Sequence, residues 1–302
     1  MTINTGSFSK ALWPGVNAWY GKEYTEFKVE WTELFDQFTS RKAFEEDVGV
    51  SSFGLAQVKP EGQTVAYDTE IQGFITRYTH IVYGLGFIVT QEAFDDDLYD
   101  VIAEKRARGL AFSMRQTKEI VGANVYNRAF TGGYTGGDGS VMIVGTHPNA
   151  IGGTWSNILS TAANLSEAAL EQACIDIAKF RNDRGLKINV IPQKLVIPVD
   201  LQFEADRILK SQYRVGGGDN DINALVVQGR FPQGIHMNHY LTSTTAWFLK
   251  TDVKDGLKYF TRKDDEFTED NDFDTQNAKF KAVARYCFGW TDPRAIYGTP
   301  GI

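Results

Sequence analysis

Residues 91–130 read QEAFDDDLYDVIAEKRARGLAFSMRQTKEIVGANVYNRAF. Leu98, Ile102, Leu110, Met114, Thr117, Val121 and Val125 recur mostly at steps of three and four, which places them on one face of an α-helix. Glu92, Asp95, Asp96 and Asp97 load the start with acid, which suits the positive end of a helix dipole. Gly132 and Gly133 stand where the helix should stop. At 1.5 Å per residue this span is about 60 Å long, more than a compact domain of this size is wide. Gly109 is the place where it would kink or split into two ordinary helices. The basic stretch Lys105–Arg108 reads as its solvated face.

Downstream of this helix the pattern changes. A glycine-rich stretch carries a short strand, Val141–Val144. Residues 166–184 predict an amphipathic helix with Ser166 as N-cap, a stripe of Leu170, Cys174 and Ile177, and Gly185 as the stop. KINVIP and KLVIPV read as short apolar strands, and a further helix starts near Asp200. Residues 145–240 therefore form an α/β unit. TAWFLKTD, GLKYFTRK and AKFKAVARYCFGW are strands again. In the last, Phe280, Ala282, Ala284 and Tyr286 alternate with Lys279, Lys281 and Arg285.

Upstream, FGLAQVKPEGQTVAYDTEIQG predicts a long hairpin turning at Pro60–Gly62. Its flanks hold little bulk, and a two-stranded ribbon is marginal alone in water, so it should lie on another surface. RYTHIVYGLGFIVTQ follows as a more buried strand. Residues 1–47 hold Trp13, Trp19 and Trp31 without a clean period and read as an aromatic arm that docks on a neighbour.

The 302 residues are 42% apolar and 23% charged, with 29 glycines and 13% aromatics, as in a soluble chain rich in β segments and turns. The net charge of −7 gives no general attraction to nucleic acid or anionic membrane. Cys174 and Cys287 imply no disulfide framework. The longest uncharged apolar run, IVYGLGFIV, is too short to span a bilayer, and no signal peptide is visible, so a cytoplasmic origin is expected.

A search for chemistry returns little. HMNH (236–239) lacks the helical spacing of a zinc pair and reads as loop histidines. GGYTGGDGS has phosphate-loop glycines without the Lys that meets phosphate, and no GxSxG elbow occurs. Asp264 and Asp265 read as a solvated acidic loop. EDNDFDTQN (269–277) has carboxylates at calcium-loop spacing, but Thr275 stands where the turn glycine belongs and Lys281 where the bidentate Glu belongs. It is expected to be a polar turn between strands, formed by Asp272 and Asp274. No catalytic residue, metal or cofactor is expected.

The order of parts resembles the major capsid protein of tailed bacteriophages, with the Hong Kong 97-type α+β fold. The residues that carry the likeness are DNDINAL (219–225), YLTSTTAWFLKTD (240–252) and ARYCFGWTDPRAIYG (284–298). The resemblance implies an N-terminal arm (1–47), an extended hairpin loop (48–78) and a peripheral domain (79–144 and 241–302) with the 91–130 helix as spine. Residues 145–240 would be the axial domain. It further implies self-assembly into hexamers and pentamers of an icosahedral head around double-stranded DNA, held by loose, non-specific contact. The chain would be assembled in the host cytoplasm and end in the virion, with no membrane partner. Because the sequence opens directly on the arm, scaffolding is expected from a separate protein, alongside a portal and a decoration protein. Candidate inter-subunit residues are Trp13 and Trp19 in the arm; Lys59, Pro60, Glu61, Gly62 and Gln63 at the hairpin tip; Gly216, Gly217 and Gly218 near a symmetry axis; and Asp272 and Asp274. No Asn partner for Lys59 is singled out, so no cross-link is expected. The alternatives are an encapsulin-type nanocompartment shell and an α/β enzyme whose site converges from distant residues.

Overall fold

The computed structural model describes residues 18, 20–22, 28–90, 92, 99–214, 221–271 and 277–302. Its framework is one long helix, α1 (Tyr99–Asn127), laid across a four-stranded sheet. That sheet has the order β1 (Asp36–Thr39), β10 (Leu257–Asn271), β11 (Ala278–Trp290), β4 (Ile81–Val89). β1 runs parallel to β10, and the other pairs are antiparallel. α1 passes through Gly109 as a single helix of 29 residues, about 44 Å long. Nothing lies within 4 Å of a Cβ built on Gly109, so packing neither forces a kink there nor demands a glycine. Residues 93–98 of the expected helix lie outside the described residues.

The alternation in β11 holds. Phe280, Ala282, Ala284 and Tyr286 are buried against Ala107, Leu110, Ala111 and Met114 of α1, while Lys279 and Lys281 are exposed. Gly122 lets this contact close: a Cβ there would come within 3.3 Å of both Phe288 and Trp31. The centre of the helix departs from the expected apolar stripe, because Arg115, Lys118 and Glu119 are all buried.

A second four-stranded sheet has the order β12 (Ile296–Thr299), β9 (Trp247–Thr251), β7 (Pro192–Pro198), β8 (Ile235–Asn238), with β7 and β8 parallel. α2 (Glu167–Ala178) and α3 (Gln202–Lys210) cover it, burying Leu170, Ile177, Ala205 and Ile208 against Leu195, Ile197, Trp247 and Leu249. A short helix, α4 (Ala224–Val227), adds Leu225 to the same core. The Ser166 hydroxyl caps α2 by accepting from Ala169 N, as expected. The helix stops at Ala178, however, short of Gly185. Asn182 begins a tight turn there: its N–H donates to Leu186 O at 2.8 Å, and Gly185 takes a φ of +77°. KINVIP forms no strand before Pro192, and Val141–Val144 is reduced to a single bridge between Thr135 and Val141. The strands near the C-terminus divide: β10 and β11 build the first sheet, and β9 and β12 the second.

Two polar segments are less solvated than their composition implies. Asp264 and Asp265 sit inside β10, where register shifts between Thr261 and Glu266 bulge the strand. A bulge re-aims side chains, and Asp265 turns inward to Lys118 Nζ at 2.6 Å. His236 is not a loop residue: it lies in β8 and is buried. EDNDFDTQN is flanked by strands, since β10 runs to Asn271 and β11 begins at Ala278; Asp272 and Asp274 themselves lie outside the described residues.

Asn157 joins the glycine-rich stretch to β12. Its fully buried carboxamide donates to Met142 O (2.9 Å), Pro293 O (3.1 Å) and Ile296 O (3.2 Å), and accepts from Val144 N at 2.9 Å. Its oxygen also lies 3.2 Å from His147 Nε2, in the small ribbon of β5 (His147–Pro148) and β6 (Thr154–Trp155).

Candidate inter-subunit interface

Two segments lie in the regions expected to contact neighbouring copies: one is packed into the first core and the other is exposed. The first is the junction at residues 28–36, where the N-terminal region meets the body. Trp31, Leu34 and Phe35 are buried, and the Trp31 ring lies 4.3 Å from that of Tyr259 and 5.5 Å from that of Phe288. The buried charges of α1 answer this segment. Glu119 accepts from the N–H groups of Glu30 (3.0 Å) and Trp31 (3.1 Å), and Arg115 donates to Lys28 O at 2.8 Å. Burial raises the Glu119 carboxyl above its ordinary range, against those two backbone donors.

Glu33 reaches the second sheet, contacting Lys194 Nζ at 3.2 Å and His236 Nδ1 at 3.0 Å, with Lys28 Nζ at 2.7 Å on its outer side. Hydrogen bonding from Lys28 first, then from His236 and Lys194, holds its carboxyl at about 2 against the cost of burial. Glu30 pairs with His239, and Lys250 Nζ donates to Leu34 O at 2.9 Å. One nine-residue segment thus binds α1, both sheets and the turn after β8.

The second segment is the hairpin. β2 (Phe44–Val50) pairs antiparallel with β3 (Gln72–Thr79). Its base is clamped to the first sheet: Asp47 accepts from Lys258 Nζ at 2.6 Å and from Thr291 Oγ1 at 2.7 Å. The ladder shifts register between Val48 and Val50, and its last backbone bond is Ser51 N to Ile71 O at 2.9 Å. Beyond it the chain forms no strand, which corrects the expectation of two strands reaching the tip. The expected turn is present: Gln63 N donates to Pro60 O at 3.3 Å and Gly62 has a φ of +78°.

This loop exposes apolar side chains that a soluble monomer has no use for. Leu55 is 78% exposed, Val58 94% and Tyr67 95%, with Phe53 and Val65 more than half exposed. The tip residues Lys59, Pro60, Glu61, Gly62 and Gln63 are all exposed. They stand together on the turn, as the sequence placed them. Trp13, Trp19, Gly216, Gly217, Gly218, Asp272 and Asp274 lie outside the described residues.

Sequence reading missed the partners that hold the loop against the body. Arg184 Nη1 lies 3.3 Å from Asp68 Oδ1, and Asn182 Nδ2 donates to Ser52 Oγ at 2.9 Å. NDRG (182–185) carried the signal of a tight turn, but nothing in it pointed to a partner more than 110 residues away.

Comparison with known proteins gives this architecture a context. No curated protein matches the chain in sequence. Among solved structures, a virus-like particle from Pyrococcus furiosus aligns with a TM-score of 0.52 at 12% identity, over 94% of this chain and 97% of that one. The procapsid of bacteriophage JBD30 aligns at 0.51 and 13% identity, over 98% of this chain and 76% of that one. A structure from Microbacterium phage Oxtober96 aligns at 0.51 and 10% identity, over 89% and 90%. These likenesses establish the Hong Kong 97-type fold. The family model for phage capsid protein matches residues 74–299, from within β3 to the end of β12. A match over three-quarters of the chain, on a fold shared with capsid shells, shows that the chain belongs to the phage capsid protein family and is a structural protein of the phage head, its major capsid protein.

Proposed function

We propose that copies of this chain join as hexamers and pentamers of an icosahedral head around double-stranded DNA, with the 51–71 loop of each copy laid on a neighbour. The exposure of Leu55, Val58 and Tyr67 carries this reading. Fully burying a side chain of that size is worth about 1.5–3 kcal/mol. The five apolar loop residues together would contribute about 7–15 kcal/mol if all were covered. Ordering two copies costs about 4–15 kcal/mol, so one loop roughly offsets one association. Stable joining then needs several such contacts per subunit, which is the arithmetic of a cooperative shell.

In this reading residues 1–47 are the arm and 48–78 the extended loop. Residues 79–144 and 241–302 form the peripheral domain with α1 as spine, and 145–240 the axial domain. The two separate hydrophobic cores support that division, with β9 and β12 reaching across into the second sheet. The net charge of −7 supports loose, non-specific contact with packaged DNA. A scaffold protein, a portal and a decoration protein are the further partners of such a head, which would assemble in the host cytoplasm. Light scattering and negative-stain microscopy of purified protein should show capsomers or shells. A variant lacking Ala56–Ala66 should remain folded and fail to assemble. Normal shells from that variant would refute the loop's role.

A further inference from the structure

The hairpin is held at two levels by chemistry of different strength. Its base is tied to the first sheet by Asp47, Lys258 and Thr291, and Lys258 is buried. Above the base lies a weak point. Gly49 and Gly73 face each other across the register shift, so close that a Cβ on Gly73 would stand 3.1 Å from Gly49 O. Beyond Ser51 and Ile71 no ladder bond stiffens the loop. What holds it is the turn at residues 182–185, which belongs to the α/β unit.

That turn is itself rigid. The Asn182 carboxamide oxygen accepts from Arg184 N at 3.0 Å and from Leu186 N at 2.9 Å, and Gly185 N donates to Asn182 O at 2.9 Å. It presents two side chains to the loop. Asn182 Nδ2 donates to Ser52 Oγ on the outgoing limb. On the returning limb, the Arg184 guanidinium binds both Asp68 Oδ1 and the carbonyl of Thr69. Asp68 also joins the limbs to each other, because its Oδ2 accepts from Gly54 N at 2.8 Å. The Arg184 side chain is 20% exposed, whereas Asp68 is 42% exposed and solvated on its outer side. Exposed ion pairs are individually weak in water. Arg184 Nε is moreover buried with no partner among the described residues, so this seat does not satisfy the guanidinium fully. The contact is therefore one that can open.

We propose that Arg184 is a positioning residue for assembly: its contact with Asp68 and Thr69 is a latch that sets the angle at which the 51–71 loop leaves the subunit. The proposal rests on the reading that this loop joins neighbouring copies. A glycine pair above the tied base and braces that can open give the loop two arrangements: a latched one with a fixed exit angle, and a free one that swings about Gly49 and Gly73. With the latch closed, each copy offers its loop to a neighbour along one direction. With it open, the same apolar surface is presented over a range of directions, and shells of mixed curvature result.

The test compares wild type with R184A, R184K and D68A by thermal unfolding, chymotryptic cleavage at Tyr67 in the unassembled subunit, and particle diameter by negative-stain microscopy. R184A and D68A should keep the wild-type Tm within about 2 °C, since the contact lies outside both cores. Both should be cut at Tyr67 about two- to fivefold faster, the factor expected when a local opening loses a contact of this class. Both should give particles of mixed diameter, and R184K, which keeps one cationic contact, should restore part of the protection and uniformity. D68A also removes the limb-to-limb bond to Gly54 N, so R184K, which keeps the cation in place, decides the matter should R184A prove poorly folded. Unchanged cleavage overturns the proposal. So does faster cleavage with particles of wild-type uniformity, since the exit angle would then not govern assembly. The variant lacking Ala56–Ala66 separates the two readings: if it fails to assemble while R184A and D68A behave as wild type, the latch falls and the interface stands. If it assembles normally, both fall.

Discussion

Replacing Asn157 by Ala removes one carboxamide that five groups meet; Pro293 O keeps the Ile296 N–H, so four lose this partner. Three of the five are the carbonyls of Met142, Pro293 and Ile296, at 2.9–3.2 Å from Asn157 Nδ2. The fourth is the Val144 N–H, and the fifth His147 Nε2. A buried polar group left without a partner costs roughly 1–3 kcal/mol. A water in the vacated space would re-pair two or three of these four. The one or two groups left over bring the expected loss to about 1–6 kcal/mol, against the 5–15 kcal/mol that stabilises most domains. N157D should cost at least as much despite its matching shape, because a carboxylate oxygen would replace the amide nitrogen against three carbonyl oxygens. N149A, which loses the contact of Asn149 Oδ1 with Arg294 Nη2 at 3.2 Å at a half-buried site, should cost less than about 1 kcal/mol. The assay is urea unfolding of the loop-deleted subunit followed by tryptophan fluorescence, with the three variants compared at a common slope. A loss below about 1 kcal/mol for N157A at unchanged slope would show that these carbonyls find other partners, and would refute the hub.

Three other outcomes are expected. The Glu33 carboxyl has a folded pKa of about 2, below its ordinary 4.5, so its stabilising contribution is complete above about pH 4.5 and is lost as pH falls toward 2. E33Q should flatten the Tm-against-pH curve across that window, and an unchanged curve would remove Glu33 from the junction's charge network. Ala at Gly137 would place a Cβ 2.6 Å from Ile75 O and from Thr76 Oγ1, pressing on the backbone of β3. G137A should therefore cost about 1–3 kcal/mol in thermal or urea unfolding, and a neutral result would show that the glycine loop yields freely. Both cysteines are buried, and burial pushes the thiols up to about 11 for Cys174 and about 12 for Cys287. Ellman's reagent at pH 8 should label neither in the folded protein and both in denaturant; rapid labelling of either in the folded protein would contradict its burial.

Local pattern carried part of this structure in plain view. The periodicity of α1, the alternation in β11, the Ser166 cap and the turn at Pro60–Gly62 are all properties of a few neighbouring residues. What stayed hidden depends on partners far along the chain. Nothing in the local pattern marks Arg115, Lys118 and Glu119 for burial; Lys28, Glu30, Trp31 and Asp265 meet them from 80 to 150 residues away. Asn157 sits in TWSNIL with no local sign that five groups converge on it. Asp265 looked like part of a loop because a bulged strand with polar residues loses its alternation. The candidate site divides in the same way: the hairpin tip was legible as a turn, whereas Arg184 and Asn182 acquire their role only when the fold brings the 182–185 turn beside the loop.

The parallel pairing of β1 with β10 has a consequence for biosynthesis. Strand β1 leaves the ribosome more than two hundred residues before its partner, and β4 waits almost as long for β11. Until residue 257 is reached the sheet under α1 lacks both central strands, β11 is complete only at residue 290, and the hairpin base waits for Lys258 and then for Thr291. A nascent chain therefore cannot display a correctly mounted loop to a finished neighbour. The topology makes completion of synthesis a precondition for joining, so chains truncated before β11 would be excluded from a growing shell by their own unfinished sheet.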